Sequence, residues 1–175
     1  MAAYETDDRE RIEEEELPGP ADLESVLTGH KLTDALSYPP IVLEQEATLA
    51  EAIDKMRGER HGCVLLVHDR RLTGIFTERD ILMKIAGNPI DFHKTGVSAY
   101  MTSNPVALPA DSSVAFALNK MVVEGFRHIP IIDEDGRPTG VVSMRDLIEY
   151  MSDFFRKDVL NLPPDPHPLR NRDGA

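Results

Sequence analysis

Two copies of a strand–helix–strand–strand–helix unit predict an α/β (α+β-like) fold, with the two β-α-β-β-α units packed sheet to sheet around a pseudo-two-fold axis. Three observations lead there. Amphipathic and uniformly apolar segments follow one another in the same order twice. A block of residues recurs at an offset of about 65. The one residue that breaks this offset falls in a turn. A three-stranded sheet with helices on one face leaves its other face bare, so the second copy is the natural cover.

The elements follow in order. Leu23, Val26 and Leu27, then Leu32, Ala35 and Leu36, share helical faces, which predicts one or two short helices over 21–36, broken near Gly29 and packing on the repeat that comes next. A short strand after proline (Ile41 to Leu43; Val106 to Leu108) opens each repeat. Next comes an amphipathic helix (Thr48 to Arg57; Ser113 to Val123), and Thr48 with Glu51 forms a capping-box pattern. An apolar strand (Cys63 to Val67; His128 to Ile132) turns back into a second (Leu72 to Phe76; Thr139 to Val142). A helix closes each copy (Glu78 to Ala86; Met144 to Asp153). The turn His68-Asp69-Arg70-Arg71 becomes Asp133-Glu134-Asp135-Gly136-Arg137-Pro138, and an insertion confined to a hairpin turn marks a real duplication. Met56, Met83, Met121 and Met151 fall at helix positions suited to filling a core.

The domain plan is therefore an acidic disordered tail (1–20), a helical lead-in (21–36), repeat one (37–98), repeat two (99–155) and a tail (156–175) carrying Pro163, Pro164, Pro166 and Pro168. No helix or central strand accepts so many prolines.

Composition narrows the function. Of a formal net charge of −12, most sits in the first 24 residues, where ten acidic side chains face only Arg9 and Arg11. No basic patch exists to neutralise a phosphate backbone, so nucleic acid is not an expected partner. The acidic N-terminus has none of the features of a signal peptide, and no run reaches the roughly 20 apolar residues that span a bilayer. Cytoplasmic location without a membrane is expected. The lone Cys63 lies in an apolar run and reads as a buried strand residue. The six histidines show no metal-ligand spacing, so no metal is expected. No phosphate loop, nucleophile elbow or converging acid–base set is present, and an enzyme is the least favoured class.

Chemistry concentrates at one point in each copy. Gly74-Ile75-Phe76-Thr77-Glu78-Arg79-Asp80 parallels Gly140-Val141-Val142-Ser143-Met144-Arg145-Asp146. Supporting segments are Met101-Thr102-Ser103-Asn104-Pro105-Val106 and Phe126-Arg127-His128-Ile129-Pro130-Ile131-Ile132-Asp133. On these residues the chain resembles a stand-alone tandem pair (a Bateman-type module) of the cystathionine β-synthase (CBS) domain family, over roughly residues 37–155. The resemblance implies two clefts that bind adenosine-containing ligands, and self-association into a disk-like homodimer.

The motif also has a logic of its own. Thr77 and Ser143 stand where a strand gives way to a helix, and free N–H groups there favour an anion. The hydroxyls can bond phosphate, Asp80 and Asp146 can accept from both hydroxyls of a ribose, and Arg79 and Arg145 offer phosphate partners. Ile75 and Val141 provide a flat wall for a purine, which Pro40, Ile41, Pro105 and Val106 can extend. Arg127 and His128 flank the strand of the second cleft and follow the family pattern, whereas Gly62-Cys63 stands in their place in repeat one. The same Thr-x-x-Asp and Ser-x-x-Asp spacing is also a plain helix cap.

The expected function is a regulatory module sensing AMP, ADP or ATP, with or without Mg²⁺ and with no cofactor, and acting in trans on an unidentified protein target. S-adenosylmethionine, NAD, a cyclic dinucleotide, or a ligand-independent dimerisation adaptor are the alternatives.

Overall fold

The computed structural model describes residues 27–35 and 39–154. The expected tails, 1–20 and 156–175, lie outside the described residues, as do 21–26 and 36 of the lead-in. In chain order the elements are α1 (Leu32–Ala35), β1 (Val42–Glu44), α2 (Leu49–Glu59), β2 (Cys63–His68) and β3 (Arg71–Thr77). Helix α3 (Glu78–Asp80) runs into a π-helical turn (Ile81–Ile85), followed by a 3-10 turn (Val97–Ala99) and β4 (Thr102–Ser103). Then come β5 (Leu108–Pro109), α4 (Val114–Glu124), β6 (His128–Ile132), β7 (Pro138–Ser143) and α5 (Met144–Phe154).

Each repeat gives a sheet whose central strand, β2 or β6, pairs in parallel with the opening strand and antiparallel with its hairpin partner. Leu43 faces Leu66 and Leu108 faces Ile131, so the two sheets share one register at the repeat offset. The helices begin as the sequence demands. Thr48 and Glu51 form a complete capping box on α2, and Ser113 Oγ accepts from the Phe116 N–H at 3.2 Å on α4.

Strand alternation sorts the core. Val64 and Leu66 of β2 join Leu49, Ala52, Met56 and Phe76 beneath the helices of repeat one. Cys63 and Leu65 point the other way and, with Ile75, meet Leu72 and Val141 between the sheets. That cluster is the expected sheet-to-sheet contact, and the Leu72 N–H donates to the Gly136 carbonyl across it at 2.9 Å.

Four features depart from expectation. The lead-in does not pack on the repeat it precedes. Leu32 and Ala35 are buried in the core of repeat two, and the Val114 N–H donates to the His30 carbonyl. The segment that leads into repeat two, the linker between the repeats, does the same for repeat one, where Val97 is buried and its N–H donates to the Ala47 carbonyl at 2.8 Å. Lys31 bridges Ser113 as Gly96 bridges Thr48, so the exchange is reciprocal at the repeat offset.

The first sheet also has a fourth strand, β4, because Gly74 on β3 pairs with Ser103. A Cβ at Gly74 would stand 3.0 Å from Met101 Cγ and closer still to its sulfur, so the glycine gives the Met101 side chain room beside β4. The closing segment of repeat one winds as a π-helix after one α turn, and Met83 on it is 74% exposed rather than core. Met56 and Met121 are buried as expected. Finally, the tight hairpin turn places Asp69 and Arg70 at φ 51° and 64°, with no glycine to relieve them.

Candidate functional site

The two hydroxyl–carboxylate motifs sit at strand-to-helix junctions, and both are fully formed caps. Thr77 Oγ1 accepts from the Asp80 N–H at 3.3 Å, while Asp80 Oδ2 accepts from the Thr77 N–H at 2.8 Å and its hydroxyl at 2.7 Å. In repeat two, Ser143 Oγ accepts from the Asp146 N–H at 3.1 Å, and Asp146 Oδ2 accepts from the Ser143 N–H at 2.7 Å. The cap thus holds each carboxylate in place from the backbone side.

A cleft of about 320 Å³ opens at the first motif, within the range of small-ligand sites. Ile75, Thr77, Arg79 and Asp80 form one wall. Pro105, Val106, Arg127 and His128 of repeat two form the other, so this cleft is built from both repeats. Arg79 spans it, donating through Nη1 to the Gly125 carbonyl at 2.7 Å. Gly125 is the left-handed cap of α4, which leaves that carbonyl at the helix end open to a cation.

The second motif opens on a larger cleft of about 750 Å³, lined by Val141, Ser143, Arg145 and Asp146 together with Arg127 and His128. Arg145 is exposed and pairs with Glu149 at 2.8 Å. One Arg–His pair therefore lines both clefts. Gly62 explains how: a Cβ there would come within 3.0 Å of His128 Nε2, so His128 lies over the space that the missing side chain leaves. The Gly62-Cys63 departure is what admits the second repeat's polar lining to the first cleft. Burial lowers the His128 pKa, and Arg127 lowers it further, so the ring is held neutral near pH 7.

Pro40 and Ile41 line neither cleft. Ile41 is buried in the first repeat's core, and its carbonyl accepts from the Leu65 N–H at 2.8 Å, which extends the β1–β2 pairing. Glu78, Thr102, Asn104 and Phe126, quoted above only as parts of the motif segments, line the first cleft together with Glu124. Asn104, in an Asn-Pro step, is held at φ 47°.

The CBS domain sequence model matches this chain twice, over residues 32–87 and 97–153. The chain belongs to the CBS domain family. Both CBS matches begin in a lead-in segment, at the points where the exchanged turns begin. The chain is 36% identical over 124 residues to the 17.7 kDa protein in the bps2 3′ region of Acidianus ambivalens, covering 70% of this chain and 74% of that one. It is 34% identical over 128 residues to the CBS domain-containing protein CBSCBSPB5 of Arabidopsis thaliana, covering 73% of this chain but only 22% of that protein.

Among solved structures, the CBS domain pair of protein MJ0100, in complex with 5′-methylthioadenosine and S-adenosyl-L-methionine, superposes with a TM-score of 0.64 at 25% identity, over 71% of this chain and 97% of that one. The CBS domain protein PAE2072 from Pyrobaculum aerophilum, complexed with AMP, shares the fold at a TM-score of 0.62 and 24% identity, over 71% and 99% of the two chains. Among the described residues no helix is long and apolar enough to cross a membrane.

Proposed function

We propose that this CBS pair is a regulatory module that binds an adenosine-containing ligand, AMP, ADP or ATP, and acts in trans on a protein partner rather than catalysing a reaction. One observation carries the reading. Each hydroxyl–carboxylate cap opens into a cleft, and both clefts are walled by both repeats: Pro105, Val106, Arg127 and His128 come to the first, Arg60, Gly62 and Glu78 to the second. A ligand held between repeats changes their relative stability by its differential affinity, which is what a sensor requires. In this reading Thr77, Ser143 and the arginines meet phosphate, Asp80 and Asp146 meet ribose, and Ile75, Val141, Pro105 and Val106 meet the base. Mg²⁺ would accompany only a di- or triphosphate. Exposed Leu82, Met83 and Ile148 on the closing segments, with Val122 and Val123 on α4, offer apolar surface to a homodimer.

A second reading, S-adenosylmethionine or methylthioadenosine, is favoured by the ligands of the MJ0100 pair. Thermal unfolding with AMP, ADP, ATP, NAD, S-adenosylmethionine and cyclic dinucleotides, beside Asp80→Ala and Asp146→Ala, separates the readings. A ligand at 100 times its Kd adds about 2.7 kcal/mol, or roughly 5–10 °C for a chain of this size. A shift from one ligand, lost in an Asp variant, supports the sensor. No shift with any ligand leaves a dimerisation adaptor with two well-capped helices.

A further inference from the structure

The two clefts differ at the carboxylate oxygen that the caps leave over. A carboxylate has about four lone-pair positions, and a ribose diol needs two of them. On Asp80, three are taken. Oδ2 accepts from the Thr77 N–H and hydroxyl, and Oδ1 is held by Lys84 Nζ at 2.7 Å. On Asp146 the Ser143 N–H takes one, and Oδ1 has no hydrogen bond or ion pair among the described residues. The hydroxyls differ in the same sense. Thr77 spends its proton on Asp80, whereas the Ser143 hydroxyl accepts a bond and donates none among the described residues.

Lys84 is placed for this task by its surroundings. It lies on the π-helical turn four residues after Asp80, and its ammonium also donates to the Tyr100 carbonyl at 2.7 Å. That second bond anchors it to the linker just ahead of β4. Asp80 is nine-tenths buried while Lys84 is two-fifths exposed, so a ribose hydroxyl must displace from Asp80 an ammonium that the Tyr100 carbonyl also holds. The residue four after Asp146 is Tyr150, whose phenol instead bonds His30 Nδ1 and leaves Asp146 open.

We infer that Lys84 is a specificity-determining residue that closes the first cleft to a ribose diol, so that the module takes one ribose-bearing ligand per chain, at Asp146. This rests on the adenosine reading above. The first cleft then keeps its arginine and histidine for a ligand or ligand portion without a free diol.

Titration calorimetry of the full chain with AMP, 2′-deoxy-AMP, 5′-methylthioadenosine and S-adenosylmethionine tests it. The expected result is one AMP per chain, at least tenfold weaker binding of 2′-deoxy-AMP, and loss of AMP in Asp146→Ala with retention in Asp80→Ala. Lys84→Met is expected to raise the AMP count to two, the second lost again on adding Asp80→Ala. Two AMP in the wild type, loss in Asp80→Ala alone, or a folded Lys84→Met still binding one would each overturn the inference and leave the adenosine reading standing. If Lys84→Met does not fold, the two aspartate variants decide. An absence of heat from all four ligands overturns the inference.

Discussion

Gly74 ties the first sheet to the first cleft, and it can be tested with a single methyl group. In Gly74→Ala the new Cβ would meet the Met101 side chain, with Cγ at 3.0 Å and Cε at 3.1 Å and the sulfur nearer still. Real Cβ contacts are longer, so Met101 must move or β4 must leave β3. Overpacking of this kind costs about 1–3 kcal/mol, and for a chain of this length each kcal/mol lowers the midpoint by roughly 2–4 °C. Met101 is half-buried and flexible, which argues for the middle of that range, about 2 kcal/mol. The assay is a double-mutant cycle by thermal and urea unfolding: wild type, Gly74→Ala, Met101→Ala and both. Met101→Ala removes the colliding atoms, so in that background Gly74→Ala is expected to lose at least half of its penalty, a coupling of about 1 kcal/mol or more. An equal penalty in both backgrounds would refute the collision and leave an intrinsic glycine requirement on β3. Because Met101 directly precedes Thr102, a wall of the first cleft, the same variant is expected to weaken any ligand bound there.

Two other predictions concern local chemistry. Arg70→Gly relieves a left-handed residue in a two-residue hairpin and is expected to stabilise by about 1 kcal/mol, read as a higher unfolding midpoint; no gain would mean that the arginine side chain compensates for its backbone. Burial, with smaller contributions from Asp146 and Glu78, pushes the Cys63 thiol up to about 12 from an ordinary 9.0. The folded state therefore keeps a proton that the unfolded state loses, and stability is expected to fall as pH rises from 9 towards 12. Cys63→Ala should flatten that slope, and a disulfide reagent at about pH 8 should label native protein no faster than it unfolds.

Local pattern made much of this protein legible. Thr77 with Asp80 and Ser143 with Asp146 could be read as caps and candidate ligand groups because a strand-to-helix junction needs only neighbouring residues. Thr48 with Glu51 was legible for the same reason, and the buried fate of Cys63 followed from an apolar run with no polar partner. Ile41 misled because apolar entry residues read alike whether they face a ligand or a core, and its side chain lies buried in the core with Leu49, Val64 and Leu66. Met83 misled because the helical face was projected through a segment that winds as a π-helix, which turns the side chain outward.

The duplication, the order of elements and the positions of both motifs were determined by the sequence alone, since each depends on residue type and short-range spacing. Tertiary structure decided which wall serves which cleft. Arg127 and His128 line the first cleft as well as their own because Gly62, far earlier in the chain, leaves room. It decided that each lead-in closes the other repeat, through bonds such as Val114 N–H to the His30 carbonyl. It also decided that Asp80 is committed where Asp146 is open, although both stand in the same motif. The physical reason is common to all three: hydrogen-bond capacity and space are shared among groups far apart in the chain, and only the folded arrangement allots them.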